Sequence, residues 1–212
     1  MDIALTSLQE QIVLYDELIV VDNGSTDKTV EIAEGYTDKI FSAPKGKLNA
    51  LNIGISMASG DVILTVDCDC WYSPDYIERI TKYFNDPTIK VLVVAAVHTD
   101  GASQSTNLLD GFKRSIGFAL LKYGQAPARA FRREAFIQTG GFNLNVNQFD
   151  FLSVVFEEQI NLHQRIAGFG NVIYDPSIVV HHRERRGICD SCQRQAEGVC
   201  EYCGQIRSGL RF

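Results

Sequence analysis

The chain has 212 residues, 20 Lys and Arg against 26 Asp and Glu, a formal net charge of −6 and a pI near 5.2. A hydrophobic fraction of 45% with 17 Gly and only 5 Pro suits one principal folded core and excludes collagen-like, mucin-like and disordered classes. The acidic balance argues against a general polyanion binder, so no nucleic-acid partner is expected. No apolar run approaches the ~18 residues of a membrane span, and Met1-Asp2-Ile3 lacks the basic and apolar regions of a signal peptide, which makes the cytoplasm the expected compartment.

Along the chain, short β-rich apolar runs alternate with helical patterns. Leu18 to Val21 reads as a strand followed by a helix over Thr26 to Glu34, with the Asn23-Gly24 turn between them and Ser25 or Thr26 as the cap. Val62 to Val66 reads as the next strand. Ser73-Pro74-Asp75 then gives a cap, a proline at the first helical position and an acidic first turn, so a helix is expected over Pro74 to Phe84. Val91 to Val97 is a further apolar strand, Asp150 to Ala167 carries a largely helical apolar spacing ended by Gly168, and Tyr174 to Val180 closes with a strand. Such alternation implies an α/β fold whose strands are buried on both faces.

The strongest local signal is the strand Val62 to Val66 running into Asp67-Cys68-Asp69. In an extended backbone, residues i and i+2 face the same way, so both carboxylates can address one spot at the carboxyl end of a strand, where open α/β sheets bind ligands. Two hard oxygen donors suit Mg2+ or Mn2+. Taken alone, Asp-x-Asp is equally compatible with an acidic strand end in water. Asp22 ends a second buried strand, where its carboxylate could accept nucleotide donors or simply cap its own turn. Cys68 and Cys70 read as small strand-end fillers.

These segments together resemble family 2 glycosyltransferases of the GT-A fold. Val20 to Asp27 is similar to the family's base-binding segment. Gly46-Lys47-Leu48-Asn49-Ala50-Leu51-Asn52-Ile53-Gly54, continuing through Ala58 to Asp61 into Asp67-Cys68-Asp69, is similar to its middle segment and metal motif. Arg132 to Phe136 with Gly140 to Asn143 resembles the acceptor side, and Glu157-Glu158 with Arg165 and Ala167-Gly168 resembles the segment bearing the catalytic base. Tyr174 to His182 resembles the closing strand. The matches keep the family's order over roughly residues 3 to 182. The resemblance implies a three-layer α/β/α, mostly parallel sheet and an inverting transfer of sugar from a UDP- or GDP-sugar to a glycan, lipid or protein acceptor. It implies Mn2+ or Mg2+ at Asp67, Asp69 and His181, donor contacts from Asp22, Lys47, Asn52, Asp67 and Arg183, and a base at Glu157, with Glu158 one residue off. A peripheral place at a membrane follows if the acceptor is a lipid.

Two departures accompany it. The family's first strand, which would lie between the strands at residues 18–22 and 62–67, is not found ahead of the helical pattern at Asp2 to Leu8; a truncated chain or a segment lent by another copy in a homo-oligomer would account for this. Residues 1–182 thus form the expected catalytic domain and 183–212 a small tail with Cys189-x2-Cys192-x7-Cys200-x2-Cys203. Four thiolates in two CxxC knuckles suit tetrahedral Zn2+, with disulfides or free thiols as the alternative. For the whole chain, the competing readings are a catalytically inactive nucleotide-sugar binder or scaffold, and a nucleotidyltransferase; no Gly-rich phosphate loop supports the latter.

Overall fold

The computed structural model describes residues 1–98, 128–147, 153–154, 157–182, 198–199 and 206–207. The elements are α1 (Asp2–Gln9), β1 (Val20–Asp22), α2 (Thr29–Glu34), β2 (Ile40–Ser42), α3 (Lys47–Met57), β3 (Val62–Thr65), β4 (Cys70–Tyr72), α4 (Tyr76–Tyr83), β5 (Ile89–His98), β6 (Arg129–Arg132), α5 (Arg133–Gln138), a π-helical turn (Glu157–Asn161), α6 (Leu162–Ala167), β7 (Asn171–His182), β8 (Gly198–Val199) and β9 (Ile206–Arg207).

The central sheet has five strands in the order β3-β6-β5-β7-β4. β5 pairs with β7 in parallel, β6 runs antiparallel between β3 and β5, and β4 runs antiparallel along β7, so β3, β5 and β7 share one direction. The apolar run of β5 explains its central place: Val91, Leu92, Val93 and Val94 are all buried, as a strand covered on both faces requires. Val91 and Val93 pack with Leu48 and Ile55 of α3, Phe136 of α5 and Leu162 and Ile166 of α6. Leu92 and Val94 pack with Ala4 and Leu8 of α1 and with Tyr76, Ile77 and Ile80 of α4. Helices therefore cover both faces in three layers.

Several expected boundaries move, each for a local reason. The second helix starts at Thr29 rather than Thr26. Asp22 takes the N–H groups of Gly24 and Ser25, each at 3.1 Å, and Asp27 accepts from Thr29 N at 3.0 Å. The fourth begins at Tyr76, after a turn in which Ser73 Oγ donates to Asp75 Oδ1 at 2.6 Å. β4 and β6 have no counterpart in the sequence reading.

Among the described residues β1 pairs only with β2, in parallel, in a separate two-stranded sheet. No strand among the described residues joins β1 to β3, the place where the sequence reading set the family's first strand. Side chains span the division instead. Glu17, ahead of β1, accepts from Ser59 N (2.6 Å), Ser59 Oγ (3.0 Å) and Gly60 N (3.1 Å) ahead of β3, and pairs with Lys39 at 2.7 Å. Gly54 on α3 admits Val21: a Cβ there would lie 3.1 Å from Val21 Cγ2.

Lys39, and then the Ser59 N–H, hold the Glu17 carboxyl down at about 2, below its ordinary 4.5. A depressed carboxyl stabilises the fold above its unfolded value and loses that contribution as pH falls toward the folded one. The urea midpoint of the wild type should therefore fall between pH 4.5 and about 2 more steeply than that of Glu17→Gln. Parallel curves for the two proteins would show that Glu17 does not tie the sheets together.

β8 and β9 form an antiparallel pair, Gly198↔Arg207 and Val199↔Ile206. The four tail cysteines Cys189, Cys192, Cys200 and Cys203, and Arg183, lie outside the described residues. Among the described residues no helix is long and apolar enough to cross a membrane.

Candidate functional site

The site forms where β3 ends. Its ladder stops at Thr65↔Arg129, so Asp67 and Asp69 are not on an extended strand as the sequence reading assumed. Their convergence comes from a β-turn closed by Cys70 N donating to Asp67 O at 3.2 Å. One ligand atom each from Asp67, Asp69 and Cys70 lie within 4.8 Å of one another. Asp67 and Asp69 are partly exposed, so two hard oxygens meet a solvent-accessible point, a donor set that fits Mn2+ or Mg2+ with remaining positions open to water and phosphate. Cys70, by contrast, is buried, and burial, with the neighbouring Asp67 and Asp69 charges, pushes its thiol up to about 12; it is a core residue, as expected. Cys68 is exposed, which corrects its reading as a filler.

α3 delivers the cation. It begins at Lys47, after Gly46 at φ 124°, a left-handed conformation natural to glycine. Lys47 Nζ stands 3.5 Å from Asp67 Oδ1. A positive charge and the N-terminal end of an eleven-residue helix thus share one corner with the acidic turn, an arrangement able to receive a phosphate while the carboxylates retain a divalent ion.

The remaining predicted residues divide. Asp22 ends β1, and its carboxyl is held below its usual range first by the Ser25 side chain, then by the Ser25 and Gly24 N–H groups. Its capping role is thus realised, on a carboxylate that stays partly exposed. Asn52 spends its amide on Phe142, accepting from Phe142 N and donating to Phe142 O, both at 2.9 Å, and so docks the Gly140–Phe142 turn onto α3. His181 lies opposite Trp71 in the β4–β7 register, its ring 5.1 Å from the Trp71 ring, and is not among the described groups that converge with Asp67 and Asp69. The side chain of His182 lies outside the described residues.

Glu157 faces inward on the π-helical turn, 1% exposed. Its Oε1 accepts from Asn143 N at 2.8 Å and from Arg165 in a short ion pair, and Oε2 accepts from Asn161 Nδ2 at 3.1 Å. Arg165 donates onward to the carbonyls of Thr139 (3.0 Å) and Gly141 (2.8 Å). A carboxylate so engaged pins the 139–143 turn and is withdrawn from solvent. Glu158 follows on the same turn, its side chain outside the described residues. Sequence reasoning missed Tyr72, whose phenol contacts the backbone of Asp67. No sequence pattern marks that contact.

With this geometry in view, the sequence profile of glycosyl transferase family 2 matches residues 1–148, well over half of the chain. The chain belongs to glycosyl transferase family 2. Among this family member's curated relatives is the undecaprenyl-phosphate 4-deoxy-4-formamido-L-arabinose transferase of Pectobacterium atrosepticum, 31% identical over an alignment of 130 positions that covers 55% of this chain and 39% of the relative. The hyaluronan synthase of Streptococcus pyogenes is 29% identical over an alignment of 117 positions that covers 50% of this chain and 27% of the synthase. The matched stretches therefore span well under half of these relatives' lengths. The fold is shared with a mannosyltransferase from Pyrobaculum calidifontis solved with GDP-Man and Mn2+ (TM-score 0.63, 23% identity, 86% of this chain and 53% of that one). It is shared also with the glucosyl-3-phosphoglycerate synthase of Mycobacterium tuberculosis solved with Mn2+, UDP and phosphoglyceric acid (TM-score 0.60, 20% identity, 91% and 70%). The family 2 chain thus has the GT-A architecture expected of it.

Proposed function

We propose that this chain is an inverting glycosyltransferase that moves a sugar from a UDP- or GDP-sugar to a glycan, lipid or protein acceptor. The observation that carries the reading is the meeting of Asp67, Asp69 and Lys47 at the carboxyl end of β3. Asp67 and Asp69 would hold Mn2+ or Mg2+, which when bound neutralises charge growing on the departing nucleotide diphosphate. Lys47 binds the same diphosphate from the start of α3, and Asp22 accepts donors of the base or ribose at the end of β1. His181 and Arg183, at and beyond the end of β7, are proposed to close over the phosphates. With both oxygens of Glu157 engaged, Glu158 is the better candidate to take the acceptor's proton, and Glu157 to hold the turn beside it. The tail cysteines are proposed to hold one structural Zn2+, four thiolates leaving no position for catalysis. The proposed compartment is the cytoplasm, and a lipid acceptor would add a peripheral membrane location; the Pectobacterium relative, by its name, acts on a lipid phosphate.

Incubation of the purified chain with each of a set of UDP- and GDP-sugars and Mn2+ should release the free nucleotide for one donor and raise the melting temperature only when metal and donor are both present. The same preparation should carry one zinc per chain, lost in Cys200→Ser. The engaged Glu157 also favours a second reading, a non-catalytic donor binder. Donor-induced stabilisation without nucleotide release, with every acceptor class supplied, would select it.

A further inference from the structure

We infer that Tyr72 is a positioning residue for the metal-binding turn: its phenol holds the backbone of Asp67 through both its N–H and its C=O. The inference rests on the proposed metal site at Asp67 and Asp69. Asp67 lies two residues past the last paired position of β3, so the ladder does not reach its backbone groups. Tyr72 Oη accepts from Asp67 N at 2.9 Å and donates to Asp67 O at 3.2 Å, which one hydroxyl can do simultaneously with a lone pair and its proton. The Cys70 N–H reaches the same carbonyl from within the turn.

The phenol is itself held firmly. Tyr72 is 1% exposed, its ring lies 5.0 Å from that of Tyr76, its N–H donates to Ser7 Oγ of α1 at 3.3 Å, and β4 pairs it with Val180. Ser7 is anchored in turn, since Gln11 Nε2 donates both to Ser7 O and to Ser73 O. A rigid chain of contacts thus runs from α1 through β4 to the residue that presents the first carboxylate. Partners of this kind, one shell behind a metal ligand, typically change metal affinity about 10- to 100-fold when removed.

Tyr72→Phe keeps the ring and removes the clamp. Tyr76→Phe is the matched control: it removes a buried hydroxyl from the same core cluster, one with no hydrogen-bond partner among the described residues. In the full chain, Tyr72→Phe should weaken Mn2+ binding, read by electron paramagnetic resonance of free Mn2+, by roughly 10-fold or more. It should also speed hydrogen exchange of the Asp67 amide by a similar factor, whereas Tyr76→Phe leaves both unchanged. Mn2+ affinity within twofold of wild type in a folded Tyr72→Phe protein would overturn the positioning role and leave the proposed activity standing; equal losses in both variants would reduce it to general core packing. An unprotected Asp67 amide in the folded wild type would overturn the clamp whatever the variants do. Failure of the wild type to bind Mn2+ at all would sink the metal site, and this inference with it, while the exchange rates would still report whether the phenol holds the turn.

Discussion

Asp67→Asn should lower metal-dependent nucleotide release by about 10²- to 10³-fold while leaving the melting temperature nearly unchanged. The expected size follows from what removal of one preorganised electrostatic group at a developing charge usually costs, ~3–4 kcal/mol of transition-state stabilisation. The substitution is close to isosteric, and the Tyr72 contacts are to the backbone of residue 67, so they survive it. What changes is charge. One of two converging carboxylates becomes neutral, and Lys47 loses the partner 3.5 Å away, so the corner turns more positive and holds a divalent ion poorly. The Asp67 side chain is 29% exposed, and substitutions at such positions rarely alter stability by more than about 0.5 kcal/mol. Asp69→Asn should behave similarly, and chelation of metal from the wild type should reproduce the loss without adding to it in either variant. Unchanged release from Asp67→Asn, or a large further loss on chelation, would place the metal elsewhere.

The elements legible in the sequence are those whose burial is written into consecutive residues. The β5 run of Val91 to Val94 needs no partner to be recognised, because a strand covered on both faces is apolar at every position. α3 was not read as a helix, and the family resemblance alone placed Lys47 among the donor contacts near Asp67. β6 was not legible. Its Arg-Ala-Phe-Arg sequence becomes a strand only because β3 and β5 both offer it backbone partners, and Arg129 is buried there against any compositional expectation. β4 is three residues long and owes its existence to His181, His182 and Val180 more than a hundred positions later. The convergence of Asp67 and Asp69 was read for an incomplete reason: alternation along a strand predicts it, yet the strand has already ended and a turn brings them together. Glu157 shows the opposite case. The acidic pair marks it as a catalytic candidate, and only Asn143, fourteen residues before it, and Arg165, eight after, reveal that it faces inward.

That inward pair carries the largest expected effect on stability. Arg165→Met removes the counter-charge of a carboxylate that is 1% exposed and deletes the donors to the Thr139 and Gly141 carbonyls. Breaking a fully buried pair by removing one partner typically costs about 3–5 kcal/mol, but Arg165 is 37% exposed and Asn143 N and Asn161 Nδ2 still donate to the carboxylate left behind, so the loss here should be about 2 kcal/mol. At ~2–4 °C per kcal/mol for a chain of this size, the melting temperature should fall by roughly 6 °C. The double variant Glu157→Gln with Arg165→Met should recover part of this, since it leaves no lone charge; the coupling, read as a double-mutant cycle, should exceed about 1 kcal/mol. Glu157→Gln alone should lower stability more than turnover, whereas Glu158→Gln should lower turnover by about 10²- to 10⁴-fold, the usual contribution of a general base, with a smaller change in melting. The reverse pattern, a Glu157→Gln protein that melts like wild type but has lost its turnover, would return the base to Glu157. Its contacts with Arg165 and Asn143 would then have to open when the acceptor binds.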